Sequence, residues 1–168
     1  MHFTIEFQAD HLIRALEAVR REIATPHEML TSIGETLLPV NQHRHVQGLA
    51  PDGTKWKELS PLTAQSKRKP QMLRDQGGLL DSFNYQVSSD MLKLGTDDWK
   101  AAFHHFGTKP YVITPRKAKA LKFGGMYRRR VNHPGLPARQ LVGFSASDQK
   151  LVLDVTDDHL QKVLNRLR

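Results

Sequence analysis

The stretch NYQVSSDMLKLG (residues 84–95) decides the fold class that the sequence predicts. Two short runs, near 84–88 and 91–95, have the residue types of β-strands, and Ser89 and Asp90 between them favour a turn. We therefore expect an antiparallel hairpin here. With helices predicted before this hairpin and further short strands after it, the order of elements favours an α+β fold over a doubly wound parallel sheet.

Two helices are predicted on the N-terminal side of the hairpin. The first follows Asp10 and carries apolar residues at helical spacing. The second begins at Thr25-Pro26, residue types that are typical of a first turn. Pro39 is expected to end or kink it, because proline lacks an N–H donor and clashes with the preceding turn. Before both helices, alternating apolar and polar residues over 3–7 predict a short strand.

On the C-terminal side, a helix is predicted over 99–106, stopped by Gly107. Two strands at 111–114 and 120–123 then flank a basic turn, and Thr156 is expected to cap a last helix. The prediction is an α+β fold with N-terminal helices packed on a small, mainly antiparallel sheet, a projecting basic hairpin and a C-terminal helix. We expect it to form a single domain over 1–168.

Composition limits the class of protein. Hydrophobic residues make up 39% of the chain and charged residues 25%, as in globular proteins and unlike disordered tails. No stretch approaches the roughly 18 apolar residues that cross a bilayer, so no membrane association is predicted. The chain has no cysteine, which excludes disulfides and thiolate metal sites.

Positive charge is concentrated in one part of the chain. The formal net charge is +8, and residues 99–147 contain ten Lys or Arg and no Asp or Glu. Such a run indicates a surface for a polyanion or an acidic partner, although a merely solvated face is the plainer alternative. The candidate partner- or DNA-facing residues are Arg116, Lys117, Lys119, Lys122, Arg128, Arg129, Arg130 and Arg139.

Two of these candidates have further expectations attached. Lys122 is expected to point outward, because Leu121 and Phe123 alternate with it and claim the inner face of a strand. Arg139 offers a planar fork that suits a carboxylate, either in an internal salt bridge or across a contact between subunits.

The residues favour neither catalysis nor metal binding. Adjacent His104 and His105 diverge by about 100° on a helix, and the surrounding positive charge repels a cation. The acids are dispersed, and neither a GxxxxGK[ST] phosphate loop nor a GxGxxG fingerprint is present. No zinc-finger, helix-turn-helix or RNA-recognition signature appears either. We therefore expect no catalytic residue, no metal and no cofactor.

Several pieces in order resemble the phage virion-morphogenesis family, which includes tail-completion proteins of contractile-tailed and Mu-like phages. The first pieces are GLAPDGTKW (48–56), Leu59 with Thr63, and Leu73, Gly77, Leu79 and Ser82. The later pieces are AAFHHFG (101–107) and GLPARQLVG (135–143).

The resemblance implies a structural protein, not an enzyme, that acts in tail completion or head–tail joining at the head-proximal end of the tail. It implies self-association into a ring, commonly hexameric in related neck proteins. Neighbouring tail-tube, tail-terminator or head-connector proteins would be its partners, with a possible nonspecific contact to phage DNA. The protein would then be found in the virion, and in the host bacterial cytoplasm during assembly. The alternative is a stand-alone, nonspecific, basic nucleic-acid-binding protein.

Overall fold

The computed structural model describes residues 9–66, 72–74, 78–123 and 125–167, with the side chains of all of these except Leu62, Ser66 and Phe123. The strand predicted over 3–7 and the motif residue Gly77 lie outside the described residues.

In chain order, longer helices at both ends precede and follow a series of short helices and strands. The helices of the described residues are α1 (Asp10–Ala24), α2 (His27–Gln47), α3 (Pro61–Ser66), α4 (Gly78–Asp81), α5 (Ala101–Phe106) and α6 (Ala146–Asn165). The strands are β1 (Phe83–Val87), β2 (Leu92–Thr96), β3 (Tyr111–Ile113), β4 (Leu121–Phe123), β5 (Met126–Arg128) and β6 (Val131–His133). The predicted α+β class is confirmed, and so is the hairpin, which β1 and β2 form. Among these helices none is long and apolar enough to cross a membrane.

The strands pair differently from the prediction in the basic part of the chain. We expected 111–114 to pair with 120–123 around a turn at 115–119, which was wrong. Instead β3 pairs with β6, and β4 pairs with β5, so that one antiparallel pair is nested inside the other. The inner pair joins Phe123 to Met126 across two glycines, and Gly125 has a φ of +79°. Gly-Gly suits such a two-residue connection, since glycine adopts positive φ without a steric penalty.

Two helix boundaries also differ from the sequence-based expectation. Pro39 does not end α2, which continues to Gln47. The turns beyond the proline are held by burial, because Asn41 and His45 are each only 1% exposed. The last helix begins at Ala146, ten residues before the predicted cap. Thr156 lies inside it, where its hydroxyl donates to the Val152 carbonyl.

The chain divides into two compact units. The first is built from the chain up to Leu37, from Tyr85–Lys93 and from Ala146 onward. Within it α1 contacts α6, and His159 Nε2 lies 2.7 Å from Glu22 Oε1. α2 packs close to β1, since a Cβ added at Gly34 would lie 2.7 Å from Tyr85 Cε2. The single-domain expectation stays a prediction.

The second unit comprises Leu38–Asn84 and Leu94–Ser145 and contains the hydrophobic core. Partly buried apolar side chains, including Leu73, Leu79 and Val142, pack against it. The indole Nε1 of Trp56 donates to the Gln140 carbonyl at 3.0 Å, which ties the loop after α2 to the segment before α6. The buried core residues are Ala50, Trp56, Phe83, Ala101 and Leu141.

Gly107 ends α5 where the chain turns against the segment 135–139. Its φ is +72°, and a Cβ there would lie 2.6 Å from the Leu136 carbonyl oxygen and 2.8 Å from the Ala138 nitrogen. The two segments are joined by a hydrogen bond from the Thr108 N–H to the Leu136 carbonyl. Only glycine meets both the conformational and the steric requirement.

We predict that Gly107→Ala lowers the free energy of unfolding by about 3 kcal/mol or more, because left-handed strain and a backbone clash add. Gly53→Ala is the matched control. Gly53 has a φ of +85°, but a Cβ added there would meet no atom within 4 Å from the rest of the described chain. The control should lose only about 1–2 kcal/mol. Urea unfolding of both variants measures the difference, and equal losses would contradict the steric account.

His45 lies in the core of the second unit. Its ring meets the rings of Trp56 and Phe83 edge-on, with centroids 5.3 and 5.4 Å away. Burial lowers the pKa of His45, the charges of Arg74 and His104 act in the same direction, and the nearby backbone of Leu73 opposes them. The folded unit therefore holds this imidazole neutral more strongly than the unfolded chain does.

The consequence is a stability that depends on pH. Because the folded-state pKa lies below the unfolded value of 6.5, the contribution of His45 is fully present above pH 6.5. It is lost as the pH falls through the folded-state pKa, at no more than about 1.4 kcal/mol per pH unit for one proton. We predict that His45→Gln flattens the fall in unfolding free energy on acidification. The exposed His43 is the control, and a His43→Gln variant that flattens the profile equally would refute this assignment.

Candidate basic interface

The basic segment, residues 111–133, consists of the nested pairs β3–β6 and β4–β5 and the loop between β3 and β4. It contains seven cations and no acid. The seven are Arg116, Lys117, Lys119, Lys122, Arg128, Arg129 and Arg130, and all of them are exposed.

These cations have no carboxylate partner within ion-pair distance in the part of the chain that the structure describes. The Arg128 guanidinium makes a weak contact with Met126 Sδ at 3.8 Å. Seven charges of one sign repel one another, so the segment carries an unmatched positive potential that an anionic surface would relieve. Lys122 is exposed and Leu121 is half-buried, which agrees with a lysine that points outward. The side chain of Phe123 is not among those described, so the outward direction of Lys122 stays a prediction.

Apolar side chains accompany the charges. Tyr127 is 69% exposed, and Tyr111, Val112 and Met126 are each nearly half exposed. Tyr111 stacks on His133 with centroids 4.7 Å apart, and His133 Nδ1 accepts a hydrogen bond from the Gly135 N–H at 3.0 Å. The segment therefore offers aromatic contact area next to guanidinium groups, a pairing that is frequent at protein interfaces.

Arg139 is not part of this exposed surface. It is 4% exposed, and its guanidinium donates to backbone carbonyls instead of to a carboxylate. Nε and Nη2 donate to the Lys57 carbonyl at 3.0 and 2.8 Å, and Nη2 also reaches the Glu58 carbonyl at 3.3 Å. Burial lowers the pKa of Arg139. Arg139 is therefore too buried for an exposed contact site, and among the described residues its donors bind the carbonyls of the 57–58 loop and not a carboxylate.

The histidines serve local structure. His105 Nδ1 accepts a hydrogen bond from the Leu141 N–H at 3.3 Å, and the Arg139 N–H donates to the His104 carbonyl at 2.7 Å. Among the described residues no three His, Asp or Glu side chains lie close enough together to hold a metal ion.

The two sides of α5 face different spaces in the second unit. Lys100 and His104 line a cavity of about 1520 Å³ that Lys122 and Arg139 also line. Ala102, His105 and Phe106 line a shallower groove of about 390 Å³. We call this second space the α5 groove; its other lining residues include Asp97, Asp98, Trp99, Leu141 and Val142.

The sequence did not predict that the α5 groove is an exposed aromatic surface. Trp99 is 71% exposed, Phe106 is 78% exposed, and Phe103 meets Trp99 edge-on at 5.7 Å. Three aromatics within eight residues read equally well as the buried face of a helix. The short helix instead buries Ala101. The small side chain of Ala101 was the signal in the sequence that could have indicated the buried side of the helix.

The sequence profile of the phage virion morphogenesis family matches residues 7–161. The chain therefore belongs to the phage virion morphogenesis family, and its role is in the assembly of phage particles. Searches of curated proteins and of solved structures found no significant match.

We predict that Arg139→Lys lowers the free energy of unfolding by about 2 kcal/mol, because one ammonium cannot replace the charge-assisted bonds of the planar fork. Arg130→Lys is the control, because it makes the same substitution on the exposed basic segment. Its free energy of unfolding should stay within about 0.5 kcal/mol of that of the unchanged protein. Chemical denaturation of both variants measures this, and a neutral Arg139→Lys would show that the buried fork is dispensable.

Proposed function

We propose that this protein completes the phage tail, or joins it to the head, as a ring at the head-proximal end of the tail. The match to the virion morphogenesis family over 7–161 is the observation that carries the proposal. On this proposal the ring is a hexamer in the virion, and it assembles from subunits in the host cytoplasm.

The basic segment supplies the surface for this role. Its seven cations lack carboxylate partners among the described residues, and a ring would repeat them around its axis. Carboxylates on an adjacent ring would neutralise them, and the proposed neighbours are tail-tube, tail-terminator or head-connector proteins. Alternatively, the phosphates of DNA that passes through the ring would neutralise the same cations by nonspecific contact.

No catalysis forms part of the proposal. The role requires only binding surfaces, and a family of structural and assembly proteins supports a protein without catalytic residue, cofactor or metal. Among the described histidines, His105 and His133 already accept backbone hydrogen bonds.

Electron microscopy of particles made without this protein tests the proposal. We expect complete heads beside unattached tails, and in the complete particle several copies at the head-proximal end of the tail. Normal joined particles in its absence, or a single copy in a reconstruction, would refute a ring that joins or completes the tail.

We predict that Arg116→Glu, Lys117→Glu and Lys119→Glu together reduce the yield of joined, infectious particles. The thermal stability should remain nearly unchanged, because exposed charges contribute little to folding. A matched variant that reverses Lys57, Lys93 and Lys150, all exposed, changes the net charge equally and should assemble normally.

Two results of this experiment would oppose the proposed role of the segment. Normal assembly of the triple variant would show that the charge run is only a solvated face. Failure of the variant to fold would show that these residues have a structural role. DNA binding is measured in parallel. A strong, steeply salt-dependent affinity that the triple variant loses, with assembly intact, would favour the nucleic-acid-binding alternative.

A further inference from the structure

We propose that the α5 groove of one copy binds residues 126–130 of the basic segment of the next copy, so that the subunits associate head to tail and Arg116, Lys117 and Lys119 stay available to a neighbouring ring or to DNA. This inference rests on the proposed ring and names the contact that would build it. Both surfaces belong to the second unit of the chain, so each copy carries one of each.

The α5 groove has the chemistry of a protein-binding site. Its walls include Trp99 and Phe106, which leave most of their aromatic surface in water. Exposed aromatics of this size next to a concave apolar space are typical of interfaces, since covering them releases ordered water. Leaving this surface uncovered costs an isolated subunit free energy.

Two carboxylates at the α5 groove give it negative charge. Asp97 accepts a hydrogen bond from the Asn84 side-chain amide, and Asp98 Oδ1 accepts one from the Lys100 N–H at 2.9 Å. These bonds hold the carboxylates in place and leave further lone pairs for an incoming donor. The groove therefore offers apolar walls with acidic groups beside them.

The basic segment has the complementary composition. Met126 and Tyr127 are exposed at the β4–β5 hairpin, and three arginines follow them directly, at 128–130. The Tyr127 ring suits the aromatic walls, and guanidinium groups bind both carboxylates and aromatic faces. Basic charge on one surface and acidic charge on the other would also orient the two copies before contact.

The segment and the α5 groove are different surfaces, so they can pair in two ways. Each copy can place its segment on one neighbour and receive the segment of another, which is the heterologous contact that the proposed ring needs, or two copies can exchange both surfaces about a twofold axis. Heterologous contacts leave one surface of each kind free at the ends until the ring closes. The occupant is thus a second copy of this chain, and another protein or DNA on either surface is an alternative that the experiment below distinguishes.

The absence of cysteine permits a direct test by site-specific cross-linking. Two full-length single-cysteine variants, Tyr127→Cys and Phe106→Cys, are prepared, and a short bis-maleimide is added to each alone and to the mixture, in concentrated protein and in purified particles. We expect a cross-linked dimer from the mixture and none from either variant alone, because only segment and groove approach each other. Leu153→Cys, at 68% exposure, replaces Phe106→Cys in the control mixture and should give no dimer.

The outcomes separate this inference from the proposed function. A double variant with both Tyr127→Cys and Phe106→Cys should give cross-linked species larger than a dimer, because each copy then joins two neighbours. A double variant that stops at the dimer, or a dimer from either single variant alone, would indicate a twofold contact and overturn the inference, as would no dimer in any mixture. Any of these results leaves the proposed function standing if particles without the protein lack joined tails. A dimer that persists when the Phe106→Cys variant also carries Trp99→Ala, Asp97→Asn and Asp98→Asn would refute the assigned groove chemistry. Loss of the dimer in that variant, with circular dichroism unchanged, would support it.

Discussion

The buried guanidinium of Arg139 is the interaction on which the second unit depends. A cation that is 4% exposed persists in a protein only where acceptors surround it, and here the Lys57 and Glu58 carbonyls supply them. Those carbonyls are available because the 57–58 loop runs outside any helix or strand. The charge therefore forces two segments more than eighty residues apart in sequence to lie side by side, and the bond from Trp56 to the Gln140 carbonyl reinforces the same junction.

Four of the motif residues that gave the family resemblance lie at this junction or in the core around it. Trp56 and Leu141 are core residues, Gly107 admits the close approach of the 136–138 backbone, and Gly143 lies against Pro51. None of the motif pieces falls in the basic segment of residues 111–133. The motif residues that indicate the family thus belong to the packing of the second unit. The charges that the proposed function uses lie on a part of the chain outside the motifs.

The sequence predicted what local chemistry controls. The hairpin at 84–95 and the stop at Gly107 depend on a few adjacent residues, and both were found as expected. The pairing of β3 with β6 was missed, because it joins residues about twenty positions apart and a nearer strand at 120–123 had the same composition. Pro39 was expected to end or kink α2, and it does not end the helix because burial of Asn41 and His45 beyond it outweighs one lost hydrogen bond. Arg139 was placed at a surface because burial against backbone carbonyls leaves no trace in composition.

The charges of the basic segment also protect the open edges of its two-stranded sheets. Two-stranded sheets are marginally stable alone, and their open edges invite pairing with other chains. β4 and β5 carry Lys122 and Arg128, and cations at a strand edge repel an identical edge on another copy. The same charges that prevent edge-to-edge association therefore leave the segment free for a surface of opposite sign. Met126 and Tyr127 are exposed beside these charges, and the proposed contact with the α5 groove uses this combination, since acidic groups suit the cations and aromatic walls suit the apolar side chains.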